Sequence, residues 1–180
     1  KLTDYELGSC FSLLFPAGAE TTTRSISGAI HAFIENPHEL DKLRSDKTLV
    51  KSAIEEVVRW TTPSVYKRRT AKSEIVMQDC RIAIGDKITV WEMSANRDEQ
   101  IFENPFMFNV AREPNKHLGF GAGAHFCLGA SLARLELKII LEEFLASAIV
   151  LNLDGPIEWT PNNRLVGIKC LPVKIVSRSG

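Results

Sequence analysis

The chain has no excess of either charge, no long apolar run, no closely spaced cysteines and no internal repeat, and each absence excludes a class of function. Twenty-two basic residues balance twenty-two acidic ones, so the formal net charge is zero. A polyanion meets no field that would draw it, and a nucleic-acid partner is not expected. No apolar stretch approaches the roughly 20 residues that span a bilayer and no secretory leader opens the sequence, so no membrane anchor is expected in this chain. Cys10, Cys80, Cys127 and Cys170 lie far apart and never at the close spacing that holds zinc. Disulfides and a zinc site are therefore not expected, which suits a soluble protein of the reducing cytoplasm. Gly121 and Gly123 are not followed by the remaining glycine of a dinucleotide fingerprint, so no flavin or nicotinamide site is expected here. The chain begins at Lys1, without an initiator methionine.

What is present is enough for a core: 44% of the 180 residues are hydrophobic and 24% charged. Leu7, Phe11, Leu14 and Phe15, then Ile26, Ile30 and Phe33, recur at helical spacing and predict one long helix to about Glu35, broken at Asn36-Pro37. Further helices are predicted over 38–43, over 49–60 before Pro63, and over 128–146. Strands are predicted over 70–76, 81–84 and 87–92, with Gly85-Asp86 as a turn. The stretch 102–123 reads as irregular. The tail alternates over 171–176 and predicts a strand paired near Val166.

Chemistry concentrates in the run Phe120-Gly121-Ala122-Gly123-Ala124-His125-Phe126-Cys127-Leu128-Gly129. Its glycines let the backbone turn tightly and lie flat against a large partner. After Cys127, Leu128, Leu132, Leu135 and Ile139 recur at helical spacing, so the cysteine precedes a helix whose free amides and dipole favour thiolate over thiol. Such a run suits either a buried metal ligand or an ordinary free cysteine after a glycine loop. In Ala17-Gly18-Ala19-Glu20-Thr21-Thr22, a glycine costs a helix about 1 kcal/mol against alanine, and threonine can bond back to a carbonyl one turn earlier. That is either a functional irregularity or a kink with a solvated threonine face. Glu56 and Arg59 share a helix face, as solvated pairs on many surface helices also do.

These three segments, in this order and at these intervals, resemble the cytochrome P-450 family of haem-thiolate monooxygenases, in its soluble bacterial form. The ten-residue run matches every position that the family pattern fixes. The resemblance implies a mainly α fold with a small β-sheet, the C-terminal haem-binding half of the P-450 fold. Residues 1–180 would be the C-terminal part of a single domain whose N-terminal half is absent.

The resemblance also implies roles. Cys127 would be the proximal ligand of haem b iron, with Phe120, Gly121, His125 and Gly129 in the cofactor loop. Arg69, otherwise a solvated member of the cluster Lys67-Arg68-Arg69, and His117, otherwise a loop histidine, would meet the haem propionates. Glu20 and Thr21 would relay protons to dioxygen. Glu56 and Arg59 would form a buried pair tied to the loop before the cysteine through a further basic residue. Pro105-Phe106-Met107-Phe108 lacks the arginine that many members carry there, and Arg112 is the substitute. Ser94-Ala95-Asn96-Arg97-Asp98 looks like the family's Ala-Asn-Arg-Asp helix.

Ala17, Gly18, Val65, Tyr66, Leu165 and Val166 would line the pocket of a hydrophobic small molecule, terpenoid or sterol-like. Electrons would come from NAD(P)H indirectly, through a ferredoxin or flavodoxin-type partner. A peroxygenase remains an alternative, against which Glu20-Thr21 speaks, as does a non-catalytic haem-binding fragment.

Overall fold

Helix α1 (Asp4–Glu35) opens on a reciprocal cap, in which the Thr3 hydroxyl accepts the Glu6 amide and the Glu6 carboxylate accepts the Thr3 amide. It stops at Asn36 because Pro37 disfavours helical backbone in the residue before it, and Pro37 in turn opens α2 (Pro37–Ser45). The computed structural model describes residues 1–147 and 149–177. After a short 3-10 turn comes α3 (Val50–Thr61), which ends on Thr62 in the left-handed region at φ +35°.

Only the C-terminal half of α1 is buried, from Thr22 onward, while Leu7, Phe11, Leu14 and Phe15 are exposed. That half contributes Ala29, Ala32 and Phe33 to a core shared with Leu40 and Leu43 of α2, Ile54 and Val57 of α3, and Leu137 and Leu141 of α5 (Ala130–Ala146). A buried side chain of leucine or phenylalanine size contributes about 1.5–3 kcal/mol, so this four-helix junction is the main stabilising region. Gly28 permits the close crossing of α1 and α3, since a Cβ there would lie 2.6 Å from Thr61 Cγ2.

Between α3 and α5 the chain forms two antiparallel ladders. β1 (Tyr66–Thr70) pairs with β4 (Lys87–Trp91), and β2 (Ile75–Met77) pairs with β3 (Cys80–Ile82). The single strand expected over 70–76 is thus divided. Ala71 turns out of it, its amide donating to Asp86 O and its carbonyl accepting from Gly85. A short helix α4 (Glu92–Ala95) follows β4.

The tail corrects a second expectation. β8 (Val173–Ser177) pairs with β5 (Ile149–Leu153), not with residues near Val166. The β-branched run directly after α5 supplies that partner, and Val166 instead donates its amide to Pro63 O. β6 (Glu158–Trp159) pairs with β7 (Ile168–Cys170). The architecture is mainly helical with small antiparallel sheets, and among the described residues no helix is long and apolar enough to cross a membrane.

Helix α5 departs from its predicted form in two ways. It begins at Ala130, with Leu128 and Gly129 in a turn. The stripe Leu128, Leu132, Leu135 and Ile139 is exposed, and the helix packs through Ala130, Leu137, Leu141 and Leu145 instead. It therefore carries two apolar faces.

Candidate functional site

The foundation of the site is a buried ion cluster on α3. The Glu56 and Arg59 side chains are both 0% exposed, and burying two ions costs several kcal/mol each unless every polar atom is satisfied. Here the cost is offset. Arg59 gives Nε and Nη2 to the two oxygens of Glu56 at 2.7 and 2.8 Å, and its remaining hydrogens go to the carbonyls of Asn96, Pro105 and Met107. Arg112 donates Nε to Glu56 at 3.1 Å and its outer nitrogens to the carbonyls of Glu103, Asn104 and Met107. Asn115 Nδ2 and the Asn109 amide complete the shell of Glu56. The irregular stretch is ordered because its carbonyls hang on two buried guanidinium groups.

Asn96, fully buried, extends this frame toward the cysteine. Its Nδ2 donates to Thr62 Oγ1 at 2.9 Å and its Oδ1 accepts the Leu118 amide at 2.7 Å. Arg97 donates to the carbonyls of Arg59 and Trp60 at the end of α3, with its guanidinium 4.7 Å above the Trp60 ring. Burial, and next the Arg59 charge, push its pKa down to about 10.

The cysteine loop rests on this base. Gly119 lies so close to α3 that a Cβ would stand 2.6 Å from Val58 Cγ1 and 3.2 Å from Val58 O. Gly121 and Gly123 take φ of +70° and +65°, which only glycine adopts without strain. The Cys127 amide donates to Phe120 O at 2.8 Å and closes the loop, and Cys127 O accepts the Ala130 amide at the start of α5. The Cys127 thiol is free and exposed, so the buried setting expected for it is absent from this chain. His125, Phe126 and Leu128 beside it are exposed as well, and Gly129 is the N-cap of α5.

His117 departs from its expected role. Its ring is 4% exposed, its Nε2 lies 2.9 Å from Glu55 Oε2, and its Nδ1 accepts the Gly119 amide at 3.1 Å. Both nitrogens are occupied by the protein, which leaves none for a propionate. Glu55 also receives Nε and Nη2 of Arg134 at 2.7 and 2.8 Å. Burial pushes the Glu55 carboxyl up, but the Arg134 and His117 hydrogen bonds outweigh it and hold the pKa down at about 2.

On α1 the Thr21 hydroxyl donates to Ala17 O at 2.8 Å, as the threonine-rich segment suggests. Glu20 is exposed, 3.6 Å from Arg24. Arg24 in turn donates to Leu165 O at 3.1 Å and lies across Gly167, where a Cβ would meet its Cγ at 2.5 Å. The structure brings two of the expected pocket segments together. Ser64 bridges Leu165, the Val65 amide donates to Arg164 O, and the Val166 amide donates to Pro63 O. Tyr66 stacks at 5.1 Å on Trp91. Ala17 and Gly18 are exposed on α1, and Arg69 is exposed on β1. An open groove of about 600 Å³ runs past Val65, Trp91, Met93 and Phe106, but no residue of the cysteine loop lines it.

Sequence reasoning missed Glu55, Gly119 and Arg134 as site residues, and placed Asn96 in a motif without giving it a role. Their partners are distant in the chain, and no local spacing announces them.

The sequence model of the family Cytochrome P-450 matches residues 1–151. Cytochrome P-450 126 of Mycobacterium tuberculosis is 51% identical over 174 residues, covering 97% of this chain and 42% of that protein. The methyl-branched lipid omega-hydroxylase of Mycobacterium bovis is 46% identical over 145 residues, 79% of this chain and 34% of that protein. Among solved structures, a Bacillus megaterium P-450 in complex with testosterone superposes with a TM-score of 0.91 at 35% identity, over 97% of this chain and 49% of that one. The chain belongs to the cytochrome P-450 family, whose members bind haem. It spans 42% of the length of the most similar of these relatives.

Proposed function

We propose that residues 1–180 form the C-terminal, haem-binding part of a single P-450 domain, and that the whole protein is a monooxygenase acting on a hydrophobic substrate. The observation that carries this reading is the free, exposed thiol of Cys127 at the entry to α5, on a loop that follows a stretch braced by the fully buried Glu56–Arg59 pair. The surroundings suit haem. The thiol is a soft donor, nothing lies within 4 Å of a Cβ built on Gly123, and the exposed Phe126 and Leu128 offer apolar contact. Arg69, exposed on β1, would be the cation for a propionate, with His125 exposed in the cofactor loop.

Haem, when bound, supplies the one-electron and oxygen chemistry. The overall balance is one substrate C–H bond, O2, two electrons and two protons in, and one alcohol and one water out. The residues of this chain serve the ligand and the protons. Cys127, exposed at the entry to α5, would supply the sulfur ligand to the haem iron. Thr21 donates its hydroxyl hydrogen to Ala17 O, which leaves its oxygen lone pairs to accept a hydrogen bond from a water and hold that water in the proton path. Glu20, exposed, resupplies that water from solvent. The two electrons come from a ferredoxin or flavodoxin-type partner.

The apolar or small residues Ala17, Gly18, Val65, Leu165 and Val166, with Tyr66, favour a terpenoid or sterol-like substrate. The testosterone bound in the Bacillus megaterium structure supports the sterol-like class, and the branched-lipid activity in the mycobacterial relative's name supports a hydrophobic substrate more broadly.

The test is the ferrous carbon-monoxide difference spectrum of the haem-loaded full-length polypeptide. A strongly red-shifted band that disappears in Cys127→Ala supports the reading; a band retained in that variant overturns it. Thr21→Ala should keep the band and lose product per electron severalfold, the balance appearing as peroxide. Unchanged yield removes Thr21 from the proton path.

A further inference from the structure

Glu55 makes contacts that the haem-thiolate reading does not use. It stands on α3 beside Glu56 but points to the other side of the loop, where its two oxygens hold the Arg134 guanidinium as a fork at 2.7 and 2.8 Å. The same carboxylate takes His117 Nε2 at 2.9 Å. Because His117 Nδ1 accepts the Gly119 amide, the proton of the neutral ring sits on Nε2 and is directed at Glu55. Arg134 then lies 4.5 Å above the ring of Phe120, the residue whose carbonyl closes the loop on the Cys127 amide.

One carboxylate therefore joins α3, the segment before the cysteine and the helix after it. We infer that Glu55 is a positioning residue for the cysteine loop: through His117 it fixes the entry at Gly119, and through Arg134 it fixes the exit into α5. The geometry stands without any bound group, and its consequence for the thiolate rests on the reading given above. Its chemistry is distinct from that of Glu56, which holds the irregular stretch by way of Arg59 and Arg112. Glu55 has a second effect. It neutralises the Arg134 guanidinium that lies over the loop, so the sulfur feels a paired rather than a free cation.

Two measurements on the full-length polypeptide test this. In the haem-free protein, Glu55→Gln should speed amide hydrogen exchange at residues 118–127, the Cys127 amide included, while amides of α3 stay protected. In the haem-loaded protein, Glu55→Gln leaves Arg134 uncompensated and should raise the ferric/ferrous potential, whereas Arg134→Gln should lower it. A purely structural loss would not move the two in opposite directions. If Glu55→Gln does not fold, Arg134→Lys keeps the charge, loses the fork and should give a smaller rise in exchange at the same amides.

Exchange that rises evenly across the protein, or stays unchanged in the loop, overturns the inference, as do potentials that shift together. Faster loop exchange in a protein that lacks the red-shifted carbonyl band sinks the haem-thiolate reading and leaves the positioning role standing. The band present with loop exchange unaltered does the reverse.

Discussion

Glu56 accepts hydrogen bonds from five donors: Nε and Nη2 of Arg59, Nε of Arg112, Nδ2 of Asn115 and the amide of Asn109. Removing Arg59 leaves a buried carboxylate with its fork of donors gone and the carbonyls of Asn96 and Pro105 unpaired, while Met107 O keeps Arg112. Arg59→Ala should cost about 3–5 kcal/mol, read as a lower urea midpoint. Glu55 behaves differently because it is only partly buried and its pKa is depressed to about 2 from the ordinary 4.5. The unfolded chain binds its proton first on acidification. Its contribution is therefore complete above the ordinary carboxylate pKa and is lost as pH falls from about 4.5 toward about 2. Glu55→Gln should flatten the dependence of unfolding free energy on pH in that window and leave the slope above it unchanged. At this scale the sequence was partly legible. Glu56, Arg59 and Arg112 could be singled out as a group from their motif, whereas Glu55 and Arg134 stand 79 positions apart and nothing local couples them.

Helices were the readable elements, because their start and stop signals are local. Thr3 and Glu6 cap α1, and Pro37 ends it. Strand pairing was less readable, since β5 and β8 meet only after the chain has passed through β6 and β7. Helix contacts were hidden as well. Gly28 shows no helical defect in the sequence, yet it sets the spacing of α1 and α3 against Thr61 Cγ2. Gly28→Ala should destabilise by about 1–3 kcal/mol, the usual range for overpacking. Thr61→Ser removes Cγ2 but keeps the hydroxyl that donates to Val57 O, so the double variant should recover most of that loss in thermal unfolding.

The whole molecule shows a large apolar surface for a chain of zero net charge. The N-terminal half of α1 and the outer stripe of α5, Leu128, Leu132, Leu135 and Ile139, are exposed together. Exposed apolar surface promotes association, and neutrality removes the repulsion that would oppose it. The isolated chain should self-associate in sedimentation at neutral pH. Leu132→Glu with Ile139→Lys should shift it toward monomer with a change in stability within about 0.5 kcal/mol, since neither side chain is in the core. The same stripe shows why periodicity alone cannot name the packed face of α5. A helix with two apolar faces offers two equally good answers to a search for one.

The segment from Glu103 to Met107 is held largely by its main-chain carbonyls. Its course is thus encoded in two arginines elsewhere, while Glu103, Phe106 and Met107 themselves point to solvent. Such a segment can drift in sequence without losing its path. The identities of Glu103, Phe106 and Met107 are therefore free to change without the cysteine loop having to move.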